Sequence, residues 1–389
     1  MVIDLLLVVV LLAALLGGLR RGLVATVAGL TGLLAGAVAA FWLVPLVNDM
    51  LPSSAWRGPT VIVVALLLPL LGASVGTGIG NVLRRGAART PLRLLDRILG
   101  GGVTVVVGAL VLSFASSAIT ATGVPVVAPA IGSSTVLRTI DRLTPAPVGR
   151  TLAELRAIVL DEGLPAVGDL LVPVLRPSLP EVDLDDPALA QAARSVARIS
   201  GTAYACGISS TGSGFVIAED RLVTNAHVVA GVDRPIVELP GQRAREGEVV
   251  YFDPVVDLAV VAVDDAGAVP LPIAPTLAVA SPAIIQGFPH GGPFTSGSAQ
   301  VLEVETVPGS GLGGQEGVDR EIYALAAQVR PGNSGGPLLT TDGAAAGVIF
   351  ARAESDPDLG YAMTTTELLP VVALAPDLDT AVPAGECTR

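Results

Sequence analysis

The stretch RPGNSGGPLL, Arg330 to Leu339, crowds one serine with three glycines, two prolines and an asparagine. Residues of this kind form either a flexible loop or a turn that holds Ser334 out as a nucleophile, and the stretch alone does not choose. A reactive serine needs a base to accept its proton, a third group to orient that base, and backbone N–H donors where the oxyanion forms. Those partners have to come from the rest of the chain.

Composition narrows the chemistry. All 23 basic residues are arginine, so Schiff bases, Ser-Lys dyads and a GxxxxGK[ST] phosphate loop are excluded. Cys206, Cys387, His227 and His290 are the only cysteines and histidines, and they show no CxxC or HExxH spacing. No metal or cofactor is expected. A net charge of -12, with arginines mostly beside apolar segments, argues against nucleic acid as a partner.

His227 lies in LVTNAHVV, just after a hydrophobic strand that would hold it rigidly, and is the preferred base. His290 lies in GFPHGGPF, a loop bracketed by proline and glycine, where a surface or binding role is expected. For the orienting acid, Asp257 opens the strand DLAVVAV, with Asp253, Asp264 and Asp265 as competitors. The last two fall at the far end of that strand, where turn chemistry accounts for them.

From about Gly201 onward, short β-branched runs such as GSGFVIAEDRLVTNAHVV, DLAVVAV, SPAIIQGF, AQVLEVETV and GPLLTTDGAAAGVIF alternate with turn residues. This spacing predicts an all-β sandwich or a pair of barrels. Between Gly123 and Ile199, proline-punctuated amphipathic stretches predict short helices, with Asp186 capping a helix that has Pro187 in its first turn.

The first third differs again. The chain is 51% hydrophobic with a mean hydropathy of +0.68, too apolar for an ordinary soluble globule. Four apolar runs, about Val2–Leu19, Leu23–Val47, Pro59–Val82 and Ile98–Ala121, approach or exceed the roughly 20 residues a helix needs to cross a bilayer. Four in succession predict spanning helices rather than core helices. The first opens MVIDLL, with Asp4 where a signal peptide carries positive charge, so it is expected to be retained. Arg20 and Arg21 follow the first run, and Arg84, Arg85, Arg89, Arg93 and Arg97 lie between the third and fourth. Positive-inside bias places both loops in the cytoplasm, and hence the amino terminus and everything after the fourth helix outside. Trp42 and Trp56 bracket the second loop as an outer interfacial belt. Gly32 and Gly36, and Gly72, Gly76 and Gly80, recur every fourth residue; this either lets helix backbones approach or reflects the abundance of glycine, 45 in all. The four-helix region resembles the colicin V production (CvpA-like) membrane family.

In the last half, GSGFVI, TNAHVV, DLAVVAV, QGFP and GNSGGPLL occur in one order. They resemble the chymotrypsin-like trypsin superfamily, in its bacterial HtrA-like branch. The resemblance implies peptide-bond hydrolysis, with Ser334 as nucleophile, His227 as general base then acid, and Asp257 fixing the imidazole tautomer. It also implies an oxyanion hole from the backbone N–H groups of Gly332 and Ser334, and a pocket wall near Gln328 and from Phe350 to Arg352. A neutral Gln328 does not suggest a preference for Arg or Lys. Trypsin-type zymogens carry an aspartate before the nucleophile to pair with a newly cut amino terminus; here it is Asn333, so activation by such cleavage is not expected. The residues after Ser334 suffice to finish a barrel, so no appended PDZ domain is expected. A four-helix anchor joined to such a protease resembles the MarP-type periplasmic acid-resistance serine proteases of actinobacteria, which implies a role in acid or oxidative stress.

The expected fold is therefore multi-domain: a four-helix transmembrane bundle in residues 1–122, a partly helical linker in 123–199, and an all-β chymotrypsin-like double β-barrel in 200–389. The expected function is a bacterial, multi-pass, membrane-anchored endopeptidase on the periplasmic side, with protein or peptide substrates and the lipid bilayer as partners. The alternative is a catalytically inert binding module on a membrane scaffold or transport bundle.

Cys206 opens the β-rich segment and Cys387 lies near the carboxyl end, both on the side assigned as outside, where disulfides persist. Bonding them would close about 180 residues and contribute roughly 5 kcal/mol in the chain-entropy model. Two unrelated thiols are the alternative. If bonded, they tie the first strand to the carboxyl tail, so reduction is expected to loosen both, and redox control of activity is a hypothesis that equal turnover by oxidised and reduced enzyme would dispose of.

Overall fold

The computed structural model describes residues 2–50, 57–87, 93–121, 131, 133–160, 166–167, 180, 182–203, 208–310, 312, 316–354 and 356–386. Two compact units result, Met1–Leu112 and Ser113–Arg389.

In the first unit the apolar runs form helices α1 (Val2–Arg21), α2 (Leu23–Met50), α3 (Arg57–Ala87) and α4 (Arg93–Ala121), the last continuing into the second unit. Among the described residues, three windows are long and apolar enough to cross a membrane: Ile3–Arg21, Leu23–Ala40 and Leu94–Ser116. In α3 the apolar stretch is shorter, Leu67–Leu83, and Pro69 lies inside the helix. Large apolar side chains such as Leu5, Leu34, Leu70 and Val106 point outward, the reverse of a water-soluble bundle. The glycine periodicity has a packing role: a Cβ on Gly32 would collide with the Gly72 carbonyl, and one on Gly76 with the Ala28 carbonyl. Only glycine lets α2 and α3 approach this closely. At the start of α2, the Val24 N–H donates to Asp96 Oδ1 of α4 at 3.1 Å, so a carboxylate satisfies a helix-terminal donor at the positive end of the dipole. Trp42 is exposed; Trp56 and Arg89 lie outside the described residues.

The second unit opens with helices α5 (Thr135–Leu143) and α6 (Ala146–Leu160), then the short strand β1 (Ala166–Val167) and helix α7 (Pro187–Ala192). Asp186 caps α7 as its sequence predicts, accepting from the Ala188 N–H at 2.7 Å. The β-branched runs then build two seven-stranded sheets. One contains β2 (Val196–Ala203), β3 (Ile208–Ala218), β4 (Arg221–Thr224), β5 (Ile236–Glu238), β6 (Arg245–Glu246), β7 (Glu248–Asp253) and β8 (Leu258–Ala262), in the order β6-β5-β2-β3-β4-β8-β7. The other adds to β1 the strands β9 (Pro282–Gly287), β10 (Thr295–Ser310), β11 (Glu316–Ala326), β12 (Pro337–Leu339), β13 (Ala345–Ala353) and β14 (Leu359–Thr364), in the order β1-β13-β12-β9-β10-β11-β14. Here β13 also pairs with β14, so the ladder returns on itself. Every pairing between these strands is antiparallel except β1 with β13.

One hydrophobic core joins the sheets: Phe215 and Val223 from the first pack with Ile284, Ile322 and Val348 from the second, and with Leu189 of α7. Each such buried side chain contributes about 1.5–3 kcal/mol. Helix α9 (Thr365–Leu374) closes the unit, capped by Thr364.

Glu321 carries a pH-sensitive tie between β11 and α9. Its Oε1 accepts from Thr364 Oγ1 at 2.6 Å and Thr366 Oγ1 at 2.7 Å, and these bonds hold its pKa below the usual 4.5 against the opposing effect of burial. A depressed folded-state pKa stabilises above the unfolded value and is lost as pH falls through the folded value. The midpoint of thermal unfolding of Glu321→Gln should therefore fall less steeply than that of the wild type between about pH 5 and about pH 3. Parallel curves would contradict this.

Candidate active site

His227 sits on a single helical turn, α8 (Ala226–Val229), directly after β4. Both oxygens of the Asp257 carboxylate are spent on it: Oδ1 accepts from the His227 main-chain N–H at 2.9 Å, and Oδ2 lies 2.8 Å from Nδ1. With the carboxylate as acceptor, Nδ1 carries the proton and Nε2 presents a lone pair. Nε2 is buried and has no hydrogen-bond partner among the described residues.

Asp257 has a left-handed backbone, φ 66°, which aspartate tolerates better than most residues. Its N–H donates to the Asp253 carbonyl at 3.0 Å and its carbonyl accepts from Asn225 Nδ2 at 2.9 Å. Competing acids are otherwise employed. Asp253 accepts from the N–H groups of Val255 and Val256 at 2.8 and 3.0 Å, and from the Tyr251 hydroxyl at 3.3 Å. Burial, together with the Asp253 charge, pushes the Tyr251 phenol up to about 12. Asp264 and Asp265 are exposed in a turn, with Asp265 at φ 54°.

Ser334 lies on the loop between β11 and β12, packed against the histidine turn. A Cβ on Gly212 would sit 2.6 Å from Val228 Cγ2 and 3.0 Å from the Ser334 carbonyl oxygen, and one on Gly335 would collide with Thr224 Oγ1. Gly335 also has φ +81°, a second reason no side chain fits there. Ser334 is 3% exposed, and its Oγ donates to the Phe350 carbonyl of β13 at 3.4 Å rather than to His227. The Asn333 N–H donates to the Arg330 carbonyl at 2.9 Å, while those of Gly332 and Ser334, on either side, have no acceptor among the described residues. Gly332 is at φ +89°, and a Cβ there would collide with the Phe288 carbonyl.

Ser213, in the motif GSGFVI, has no part in the sequence reading, and the structure gives it one. Its N–H donates to the Ser334 carbonyl at 2.8 Å, its Oγ donates to the Gly332 carbonyl at 2.7 Å, and that Oγ accepts from the Phe288 N–H at 3.0 Å. One buried serine thus pins the peptides that follow Gly332 and Ser334. Arg320, also buried, links the aspartate turn to β13: it donates to the Val256 carbonyl at 2.9 Å and lies 5.5 Å from the centre of the Phe350 ring. Neither role is legible from residue type, because serine and arginine occur throughout the chain.

Of the pocket residues, Gln328 lines a cavity of about 290 Å³ with Arg330, Asn333, Ile285, Pro289 and Arg150. Phe350 contributes its carbonyl, since its ring is buried against Tyr361. Arg352 is half-buried further along β13. His290 lies on the turn against which Gly332 packs, at φ 55°, and its N–H donates to the Pro331 carbonyl. Cys206 and Cys387 lie outside the described residues.

Comparison with known proteins identifies the family. A trypsin-like peptidase domain model matches residues 212–348, and a colicin V production protein model matches residues 3–145. Serine protease Rv3671c of Mycobacterium tuberculosis is 31% identical over 377 residues, covering 94% of each chain. The chain belongs to the family of this serine protease. The crystal structure of the Rv3671c protease in its active form superposes with a TM-score of 0.51 at 33% identity, covering 56% of this chain and 99% of that one. The putative serine protease HhoA of Synechocystis is 34% identical over 165 residues, 40% of each chain. Both predicted resemblances, to CvpA-like and to trypsin-like domains, are met. As a member of the Rv3671c family the protein is a serine protease, with an apolar helical amino-terminal region and a chymotrypsin-like domain of two sheets.

Removing the Ser213 hydroxyl leaves the Gly332 carbonyl and Phe288 N–H unpaired, and loosens the Gly332–Asn333 peptide, which follows the one that carries the Gly332 N–H. For Ser213→Ala we expect kcat on a peptide substrate to fall roughly tenfold with KM nearly unchanged, since the loss falls on the transition state. A kcat equal to wild type would refute this positioning role.

Proposed function

We propose that this serine protease is a membrane-anchored, extracytoplasmic endopeptidase acting through His227, Asp257 and Ser334. The observation that carries this reading is the two-point grip of Asp257 on His227, which leaves Nε2 buried and without a partner among the described residues. Ser334 Oγ swings from the Phe350 carbonyl toward Nε2 when substrate arrives, as catalytic hydrogen bonds often tighten only in the complex. Nε2 takes the hydroxyl proton as Oγ attacks the scissile carbonyl carbon. The resulting oxyanion receives the N–H groups of Gly332 and Ser334, and Asp257 stabilises the imidazolium. His227 then protonates the leaving amine, and water, activated by the same imidazole, hydrolyses the acyl-enzyme.

Around this core stand the remaining parts of the proposal. The protease domain, about residues 200–389 with β2 starting a little earlier at Val196, is a double β-barrel, residues 123–199 form the linker, whose β1 and α7 join the protease fold, and residues 1–122 span the membrane four times, with α3 as the additional span. The arginine bias places the amino terminus and the protease on the outer, periplasmic side. Gln328 and β13 from Phe350 to Arg352 border the substrate site, and Cys206 pairs with Cys387. The resemblance to MarP-type proteases supports a role in acid or oxidative stress.

That Ser334 Oγ bonds to Phe350 and not to His227 favours a second reading, an inert protease-like module. A fluorophosphonate probe separates the two. The catalytic reading requires labelling at Ser334, and a fall in kcat on the order of 10⁶ in Ser334→Ala. An unlabelled wild type, or a Ser334→Ala variant that still cleaves peptide, would sink it.

A further inference from the structure

The edge of β13 beside the serine is already occupied. Ala166 and Val167 pair with Arg352 and Ala353 as a parallel strand, the one parallel contact among the described strands. The preceding helix α6 is seated on the same side of the serine loop. Ala153 packs so closely on Gly292 that a Cβ there would collide with it, and Pro293 Cγ would lie 3.2 Å from a Cβ on Gly149. Arg150 lines the cavity that holds Gln328 and Asn333, and Glu154 lies 3.7 Å from Arg330, four residues before the nucleophile. These separate contacts bring the linker to the loop and strand that border Ser334.

An open sheet edge is a peptide-binding surface, because its unpaired N–H and C=O groups accept any extended chain. A substrate whose carbonyl sits at Ser334 and whose preceding residues extend along β13 from Phe350 toward Ala353 must run antiparallel to β13. Strand β1 runs the opposite way. It claims the same backbone groups while carrying its own chain in the direction that does not present a carbonyl to the serine in the substrate's manner.

We propose that the β13 edge is an interaction surface for the chain's own linker, and that Ala166–Val167 is a resident competitor of peptide substrates. This rests on the catalytic reading above. The linker's attachment gives the strand a high effective concentration, so even a short pairing competes, and release of the linker exposes the edge. Apparent KM is then raised by the reciprocal of the fraction of molecules whose edge is free.

Proline at both positions removes the N–H groups that a strand ladder needs. In the full-length protein, Ala166→Pro/Val167→Pro should lower KM for fluorescein-labelled casein by about threefold or more with kcat unchanged. Labelling of Ser334 by a small fluorophosphonate, which does not reach along β13, should be equal in the two proteins. Hydrogen exchange at the Arg352 and Ala353 amides should be faster in the variant. A synthetic peptide spanning residues 161–172 should restore the higher KM competitively. Equal labelling with an unchanged casein KM overturns the proposal and leaves the catalytic reading intact. Absence of labelling in both proteins overturns the catalytic reading instead. Should the variant lose labelling alone, the peptide added to wild type decides: no competitive inhibition of casein cleavage, even at millimolar concentration, overturns the resident-strand proposal.

Discussion

The Asp257 carboxylate is the constraint on which the rest of the second unit turns. One oxygen holds the main chain of His227 and the other its ring, so the position and tautomer of the imidazole are set by a single group. That grip requires a left-handed residue at the end of the β7–β8 turn, and the turn is bound by Asp253, Asn225 and Arg320. Backbone strain of this kind persists only where surrounding bonds over-determine it. The hydrogen bonds around Asp257 are thus part of how the site is kept ready, and the shared core beneath it prevents the two sheets from drifting apart.

Much of the architecture could be read from residue patterns. The apolar runs became helices within a few residues of their expected limits, because long stretches of leucine, valine and alanine leave no other way to satisfy the backbone. The quoted β-branched runs became β3 and β4, β8, β9, β10, and β12 with β13. Scarcity made the histidine legible: with two candidates, a rigid strand before His227 and a glycine-rich loop around His290 were enough to rank them. Asp257 was separable from Asp264 and Asp265 by turn position, but its distinction from Asp253 needed coordinates.

What stayed hidden was hidden for physical reasons. Ser213 acts through its backbone and hydroxyl on residues more than a hundred positions away, and no local pattern encodes such a partner. The pairing of Ala166 with Arg352 is equally non-local, and two residues carry too little periodicity to announce a strand. The linker reads as a tether because its helices are short and its prolines frequent. In the fold its last helix is core: Leu189 is 1% exposed, and its carbonyl accepts from Gln286 Nε2 at 3.0 Å inside the second sheet.

That buried leucine fixes where a severed protease domain can begin. A cut made after Leu189 would strip a plug from the hydrophobic interior and take one of the two acceptors of the Gln286 amide, leaving it the Ser296 hydroxyl alone, so the severed fragment would be damaged by its own liberation. A cut upstream of Asp186 spares both. Any scissors that free this protein from its anchor while keeping it whole must act before α7, which confines a productive release site to the stretch between the membrane and that helix.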